Sequence, residues 1–289
     1  MATLRDIRRK IGAVKKTQQI TKAMNMVAAA KLRGAQQRME NFRPYAQAFA
    51  MMLGNMASRV EPEIHPFFQK ATVVEKVGLV LMTADRGLCG SFNVNLINAA
   101  GKFIKEKEAE GIQTAITCVG RKGRDFFRRR KADMPHFYVD VWNKFDFTNA
   151  VTVAREAMSS FLTGEVQEVH LIYANFVNMA IQRPIQVQLL PILTEEALEE
   201  APTTEYLFEP PVEQFLEYLL PKYINVRIYH GFLENATSEH AARMTAMDNA
   251  SSNCKDMITH LTLVMNKARQ AAITKELMDI VGGAEALKG

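Results

Sequence analysis

The placement of proline constrains this chain more than any other feature. All ten prolines lie between Pro44 and Pro221. An interior proline removes a backbone donor and clashes with the preceding turn, so long uninterrupted helices are expected in the proline-free ends, residues 1–43 and 222–289. Both ends are rich in Ala, Lys, Arg, Met, Gln and Glu, which are good helix formers.

In the first arm Leu4, Ile7, Ile11 and Val14 follow three-and-four spacing, and the stripe resumes as Ile20, Met24, Val27 with Ala28, Leu32, Ala35 and Met39. The break at Lys15–Gln19 predicts a phase slip inside one continuous helix. The last arm carries a cleaner heptad, with Met244, Met247, Ser251, Cys254, Ile258, Leu261, Met265, Ala268 and Ala272 at its a and d positions. Two narrow seams at opposite ends of a chain fit an antiparallel coiled coil with each other. A helix from Lys222 to Val281 would run on the order of 90 Å at about 1.5 Å per residue, so much of the coil is expected to project.

Between the arms the period changes. Residues 77–82, 114–119, 168–177 and 184–192 are short apolar runs that read as strands, and residues 94–110, 124–130 and 149–162 read as helices. This alternation predicts a mostly parallel sheet with an antiparallel edge pair from the last two strands. The expected fold is α/β: a long antiparallel coiled coil of the N- and C-terminal helices plus a central Rossmann-like α/β domain. The expected division is 1–60 for the N-terminal helix, 70–200 for the central domain, and 205–289 for a connecting segment and the C-terminal helix.

No run of about 18 uncharged apolar residues exists, which argues against a membrane-spanning helix. The start "MATLRDIRRK" has no apolar stretch behind its charges and reads as mature and cytoplasmic. Cys89, Cys118 and Cys254 are far apart without CxxC spacing, and the six histidines form no HxxH or HxxxH pair, so neither a disulfide framework nor a metal site is expected.

Charge is strongly segregated. Residues 1–43 hold eleven Lys and Arg against Asp6 and Glu40, while residues 195–217 hold eight glutamates and no base. Residues 120–131, "GRKGRDFFRRRK", are basic again. Such asymmetry points to partners. For the basic first arm, DNA binding lacks helix-turn-helix spacing, and a lipid-surface helix would present aromatic or leucine anchors, whereas no aromatic precedes Phe42. An acidic protein surface fits better.

"MTADRGLCGSFNVN", residues 82–95, is the strongest candidate for catalysis, because α/β folds hold phosphate at a glycine-bearing turn between strand and helix. Its Gly87 and Gly90 lack the third glycine of a dinucleotide fingerprint, and no GKS or GKT follows, so a tight structural turn is the preferred reading. Cys89 has no histidine nearby in sequence to activate it and reads as a small buried thiol. "GRKGR" reads as a solvated basic loop, with phosphate or nucleic-acid contact as the alternatives.

Several separated motifs resemble one family. "ITKELMDIVGGAEA" (273–286) resembles the C-terminal signature of the gamma subunit of the rotary F-type ATP synthase, with Ile273, Thr274, Glu276, Asp279, Gly283 and Ala284 at its specified places. "IRRKIGAVKKTQQITKAMNMVAAAKL" (7–32), "DRGLCGSFN" (85–93) and "NKARQAAIT" (266–274) resemble its N-terminal helix, its central turn and the segment before the signature. The resemblance implies a non-catalytic rotor-stalk subunit, one copy per complex, with no cofactor and no metal. It couples ion flow through a membrane ring to ATP synthesis or hydrolysis on beta subunits. Implied partners are the alpha and beta subunits of the catalytic hexamer, the epsilon subunit and the membrane c-ring, with no nucleic acid, at the cytoplasmic face of the bacterial inner membrane. By position, the resemblance implies beta-subunit contacts at Arg269, Gln270, Arg243, Met24 and Lys22, and ring contacts at Tyr206 and Glu209. Phe208 stands where the family often has tyrosine, and Asn25 where some members have an acid. The readings that stay beside it are a nucleotide-binding α/β enzyme and a basic coiled-coil scaffold for nucleic acid.

Overall fold

The computed structural model describes residues 3–57, 64–143, 145–192 and 212–286. Five helices are present among them: α1 Leu4–Ala57, α2 Phe92–Ala109, α3 Arg121–Arg129, α4 Phe147–Leu162 and α5 Val212–Ala286. Five strands, β1 Lys76–Met82, β2 Gln113–Val119, β3 His136–Tyr138, β4 Glu168–Phe176 and β5 Gln182–Leu190, form one sheet in the order β3-β2-β1-β4-β5. The first four are parallel, and β5 runs antiparallel to β4 at the edge. The chain forms two compact units, residues 29–243 and residues 1–28 with 244–289.

In the unit of residues 29–243 the sheet is covered on both faces, which is what its near-continuous apolar strands require. One face, with Val80, Met82, Leu171 and Tyr173, packs against Met39, Leu53 and Met56 of α1, Ala150 and Val153 of α4, and Leu216 to Phe232 of α5. The other, with Leu79, Leu81, Ile116 and Ile172, packs against Phe92, Leu96 and Phe103 of α2 and Phe127 of α3. The helix α5 approaches the sheet closely at Gly231, where a Cβ would lie 3.2 Å from Leu171 and 3.3 Å from Met82.

Beyond Ile172 strand β4 loses its partner β1, and α5 supplies the missing hydrogen bonds from side chains. Asn235 Oδ1 accepts from the Ala174 N–H at 3.2 Å, Ser238 Oγ donates to the Ala174 carbonyl at 3.1 Å, and Glu234 Oε2 accepts from the Phe176 N–H at 2.8 Å. A run of polar residues in the middle of α5 is therefore buried because it completes a sheet edge, where an open N–H or C=O would be costly.

In the other unit the two arms run antiparallel. Gln18 Nε2 donates to the Ser251 carbonyl at 3.5 Å and Asn25 Nδ2 to the Met244 carbonyl at 2.9 Å, so seven residues forward on one arm match seven back on the other. All nine heptad positions expected on the last arm are buried or half-buried.

Three expectations need correction. The first arm has no phase slip: its seam is Leu4, Ile7, Ile11, Val14, Gln18, Thr21, Asn25 and Ala28, an unbroken three-and-four alternation, while Ile20 and Val27 are 60% and 57% exposed. Gln18, Thr21 and Asn25 are polar but satisfy themselves by hydrogen bonding to backbone carbonyls, so they hold seam positions that an apolar count skips. The prolines do not bound the helices either, since Pro44 lies inside α1 and Pro221 inside α5, which begins at Val212 rather than Lys222. The residues four positions earlier, Glu40 and Glu217, are exposed, so solvent can satisfy the carbonyls that lose their donors. The third is "GRKGR", which is the start of α3 and not a loop.

Candidate contact surfaces

The turn after β1 is held by packing and internal hydrogen bonds. Asn93, buried at the start of α2, accepts from the Ala84 N–H at 2.9 Å and donates to the Arg86 carbonyl and the Cys89 sulfur at 3.3 and 3.1 Å. This holds a loop in which Leu88 and Gly90 adopt left-handed φ angles of 64° and 59°. The N-terminal amides of α3, the obvious anion donors, are already engaged: Arg121 N by Asp85 Oδ1 at 2.9 Å, Lys122 N by the Ala84 carbonyl at 3.1 Å, and Gly123 N by Thr83 Oγ1 at 2.9 Å. Gly120, at φ 111°, sits where a Cβ would come within 2.0 Å of the Thr83 carbonyl oxygen. Gly120 thus serves a close loop crossing, and Gly123 lets α3 pack on the Thr83 side chain, which a Cβ would approach at 3.0 Å. Burial, with the Glu239 carboxylate next in size, raises the Cys89 thiol above its ordinary pKa, and burial pushes Cys118 up to about 12, so neither is a thiolate nucleophile at neutral pH.

Arg243 fastens α5 to that turn. Its Nη1 donates to the Gly87 carbonyl at 2.6 Å, its Nε donates to Glu239 Oε1 at 2.9 Å, and Nη2 meets the same oxygen. His240 Nδ1 lies 2.7 Å from the other carboxylate oxygen. Burial would raise the pKa of Glu239, but His240 and Arg243 outweigh it and hold the carboxyl below its ordinary range. Residues Glu239 and Asn93 were not among the candidates from sequence. The Glu239–Arg243 spacing of four on a helix is the signal that could have found the first; nothing local marks Asn93.

The other candidates face outward or lie elsewhere. Lys22 is exposed and Met24 half-buried on α1. Arg269 and Gln270 are exposed on α5 and make no hydrogen bond or ion pair among the described residues. Ile273, Thr274, Glu276, Asp279 and Gly283 are exposed, within a stretch from Ile273 to Gly283 in which every residue is exposed; Ala284 lies on the same helix. Tyr206 and Glu209, with Phe208, fall outside the described residues. The structure thus brings Arg243 to the central turn, sets Arg269, Gln270 and the signature along one helix end, and leaves no catalytic constellation among them. No group of His, Cys, Asp and Glu suited to a metal ion, and no helix long and apolar enough to cross a membrane, occurs among the described residues.

That outer stretch of α5 also exposes Leu277, Met278, Ile280 and Val281, at 57–68%. Counting from the Gln18–Ser251 pair, Leu4 falls opposite Met265, so the first arm ends before this stretch begins. With Ile273, also exposed, that makes five large apolar residues beyond the coil partner, a surface suited to other chains.

The family model described as ATP synthase matches residues 3–287. Two curated relatives, the ATP synthase gamma chains of Nitratidesulfovibrio vulgaris strain Hildenborough and Syntrophobacter fumaroxidans, are 53% and 54% identical and match over 100% of both chains. Among solved structures, a chain of the central stalk and c-ring of Tetrahymena thermophila mitochondrial ATP synthase is 28% identical, with a TM-score of 0.63 over 80% of this chain and 99% of that one. A chain of the Euglena gracilis mitochondrial enzyme, at 22% identity, shares the fold with a TM-score of 0.71 over 98% of this chain and 94% of that one.

Proposed function

Given that the chain belongs to the gamma-chain family of the F-type ATP synthase, we propose that it acts as a rotor shaft that carries no catalysis itself and forces the catalytic sites of beta subunits through different states in turn. The observation that carries this reading is the outer end of α5, exposed on all sides from Ile273 to Gly283 and beyond the reach of the first arm. A slim helix of this kind suits a sleeve of surrounding subunits. A shaft that touched all three beta subunits equally could not bias their equilibria, so the contacts must differ around it.

In this reading Arg269 and Gln270, whose side chains have no partner among the described residues, donate to an acidic loop of one beta subunit at a time. The planar fork of arginine matches carboxylate in a way lysine does not. Lys22 and Met24 are on the face of α1 that beta subunits push against. Arg243 is different: with its guanidinium committed to Glu239 and Gly87, its beta contact would be made by a side chain already held in place. Tyr206 and Glu209 meet the membrane c-ring, the epsilon subunit joins the central unit, and one copy serves each complex. Peripheral attachment is then to the cytoplasmic face of a bacterial inner membrane. Ion flow through the ring turns the chain, and hydrolysis drives it backwards.

Replacing both Arg269→Ala and Gln270→Ala tests the upper contact. Hydrolysis by the assembled complex should fall by at least about tenfold, as expected when charge-assisted hydrogen bonds worth roughly 1.4 kcal/mol or more are lost. Unchanged hydrolysis would remove these two residues from the contact.

A further inference from the structure

Four consecutive exposed cations close helix α3 and the turn after it: Arg128 and Arg129 in its last turn, then Arg130 and Lys131. The acids around them are engaged elsewhere: Asp125 with Arg124 and Asp140 with Arg121, both at 2.6 Å, and Asp133 with Lys76 at 2.9 Å. None of the four has a carboxylate within 4.0 Å among the described residues, although Arg124, chiefly by its hydrogen bond, and Arg129, by its charge, hold the Asp125 carboxyl below its ordinary range. Basic side chains favour a helix C-terminus through its dipole, but that effect needs one or two of them. Arg130 is stacked 3.6 Å over the Phe126 ring, which fixes its guanidinium at the surface.

The tract lies at a definite end of its unit. After Lys131 the chain returns to the sheet, where the Asp133 carbonyl accepts from Ile116 N at 2.8 Å and its carboxylate pairs with Lys76, the first residue of β1. The first turns of α5 lie at this same end, since α5 follows β4 from Gly231 beside Leu171 to Glu234 at the Phe176 N–H, and Leu216 to Leu220 precede Gly231 in the same core by about three turns or more. The chain enters α5 there; Tyr206 and Glu209, which precede it in sequence, fall outside the described residues.

We propose that Arg128–Lys131 is a contact surface for anionic phospholipid headgroups of the membrane around the ring, an inference that rests on the rotor reading for its orientation. A headgroup layer presents the same negative potential at every angle of rotation, so clustered cations keep their contact through a full turn. A stationary acidic protein would meet them at some angles only.

The test is co-sedimentation of the full chain with phosphatidylcholine vesicles with and without phosphatidylglycerol. The variant replaces Arg128, Arg129, Arg130 and Lys131 by Gln, and a control replaces Arg5, Arg8 and Arg9 by Gln. Binding should require phosphatidylglycerol, weaken with salt, fall at least about tenfold in the α3 variant and persist in the control. Equal binding by wild type and α3 variant overturns the proposal. So does binding that soluble glycerol phosphate abolishes, which would mean a phosphate site, or a variant that loses affinity only for the detergent-solubilised ring, which would mean a protein contact. Hydrolysis by the complex assembled with the α3 variant should match wild type, and its loss would overturn the proposal by giving the tract a role within the complex rather than at the lipid.

Discussion

Single residues in this chain are legible to different degrees, and the difference is physical. Gly120 looks like a loop glycine in sequence, yet its φ of 111° and its approach to the Thr83 carbonyl make it a crossing point of two loops. Gly120→Ala should therefore destabilise the central unit by about 3 kcal/mol or more, seen as a lower urea midpoint, whereas a change within about 0.5 kcal/mol would show that the loops yield. Arg243 could be assigned only an outward role from resemblance, because its partner Gly87 is 156 residues away in sequence. Arg243→Ala should loosen the turn and uncover Cys89, which should then react faster with a thiol reagent even though losing the Arg243 charge would by itself disfavour the thiolate; an unchanged rate would show that Asn93 alone holds the loop.

At the scale of elements, periodicity found what repeats and missed what does not. The heptad of the second arm and four of the five strands were readable because burial imposes a period on apolar residues. Strand β3 has three residues and one paired edge, too few to show any period. In the first arm Gln18, Thr21 and Asn25 hid the seam, since a hydrogen bond to a carbonyl, facing for Gln18 and Asn25 and on its own helix for Thr21, places a polar residue where an apolar one is expected. Polar seam residues fix register at a cost in stability. Asn25→Leu should raise the melting temperature of the isolated chain, by about 1 kcal/mol of added burial, while weakening the preference for one pairing. A lower melting temperature would show that the Asn25–Met244 bond outweighs the apolar gain.

The helix α5 also holds a half-buried titratable histidine. Burial, helped by Arg227 and Arg43, lowers His230 from 6.5 to about 4, beside Tyr173 and a Glu234 whose carboxyl is raised chiefly by burial. His230 is then neutral at pH 7, and its 3.6 Å contact with Glu234 is not an ion pair there. An unfolded chain takes up the proton near 6.5 and the folded one only near 4, so stability should fall as pH drops through that window, by ~3 kcal/mol from this group. His230→Gln should flatten the slope of stability against pH between those values, and an unaltered slope would assign it to other groups.

For the whole molecule, the two units predict uneven protection. Amide hydrogens of β1, β2 and β4 should exchange slowest, and those from Ile273 outward fastest, because that stretch lacks any packed neighbour among the described residues. Assembly with alpha and beta subunits should slow exchange in that stretch first. The central claim is that the chain turns inside the hexamer and that its turning sets the catalytic states. The most direct measurement fixes a probe at the exposed Lys105, as Lys105→Cys, on complexes immobilised through the hexamer, and follows its angle during ATP hydrolysis. The account predicts one-way stepping that stops when ATP is withdrawn. Sustained hydrolysis with a stationary probe, or at the same rate without the chain, would contradict it.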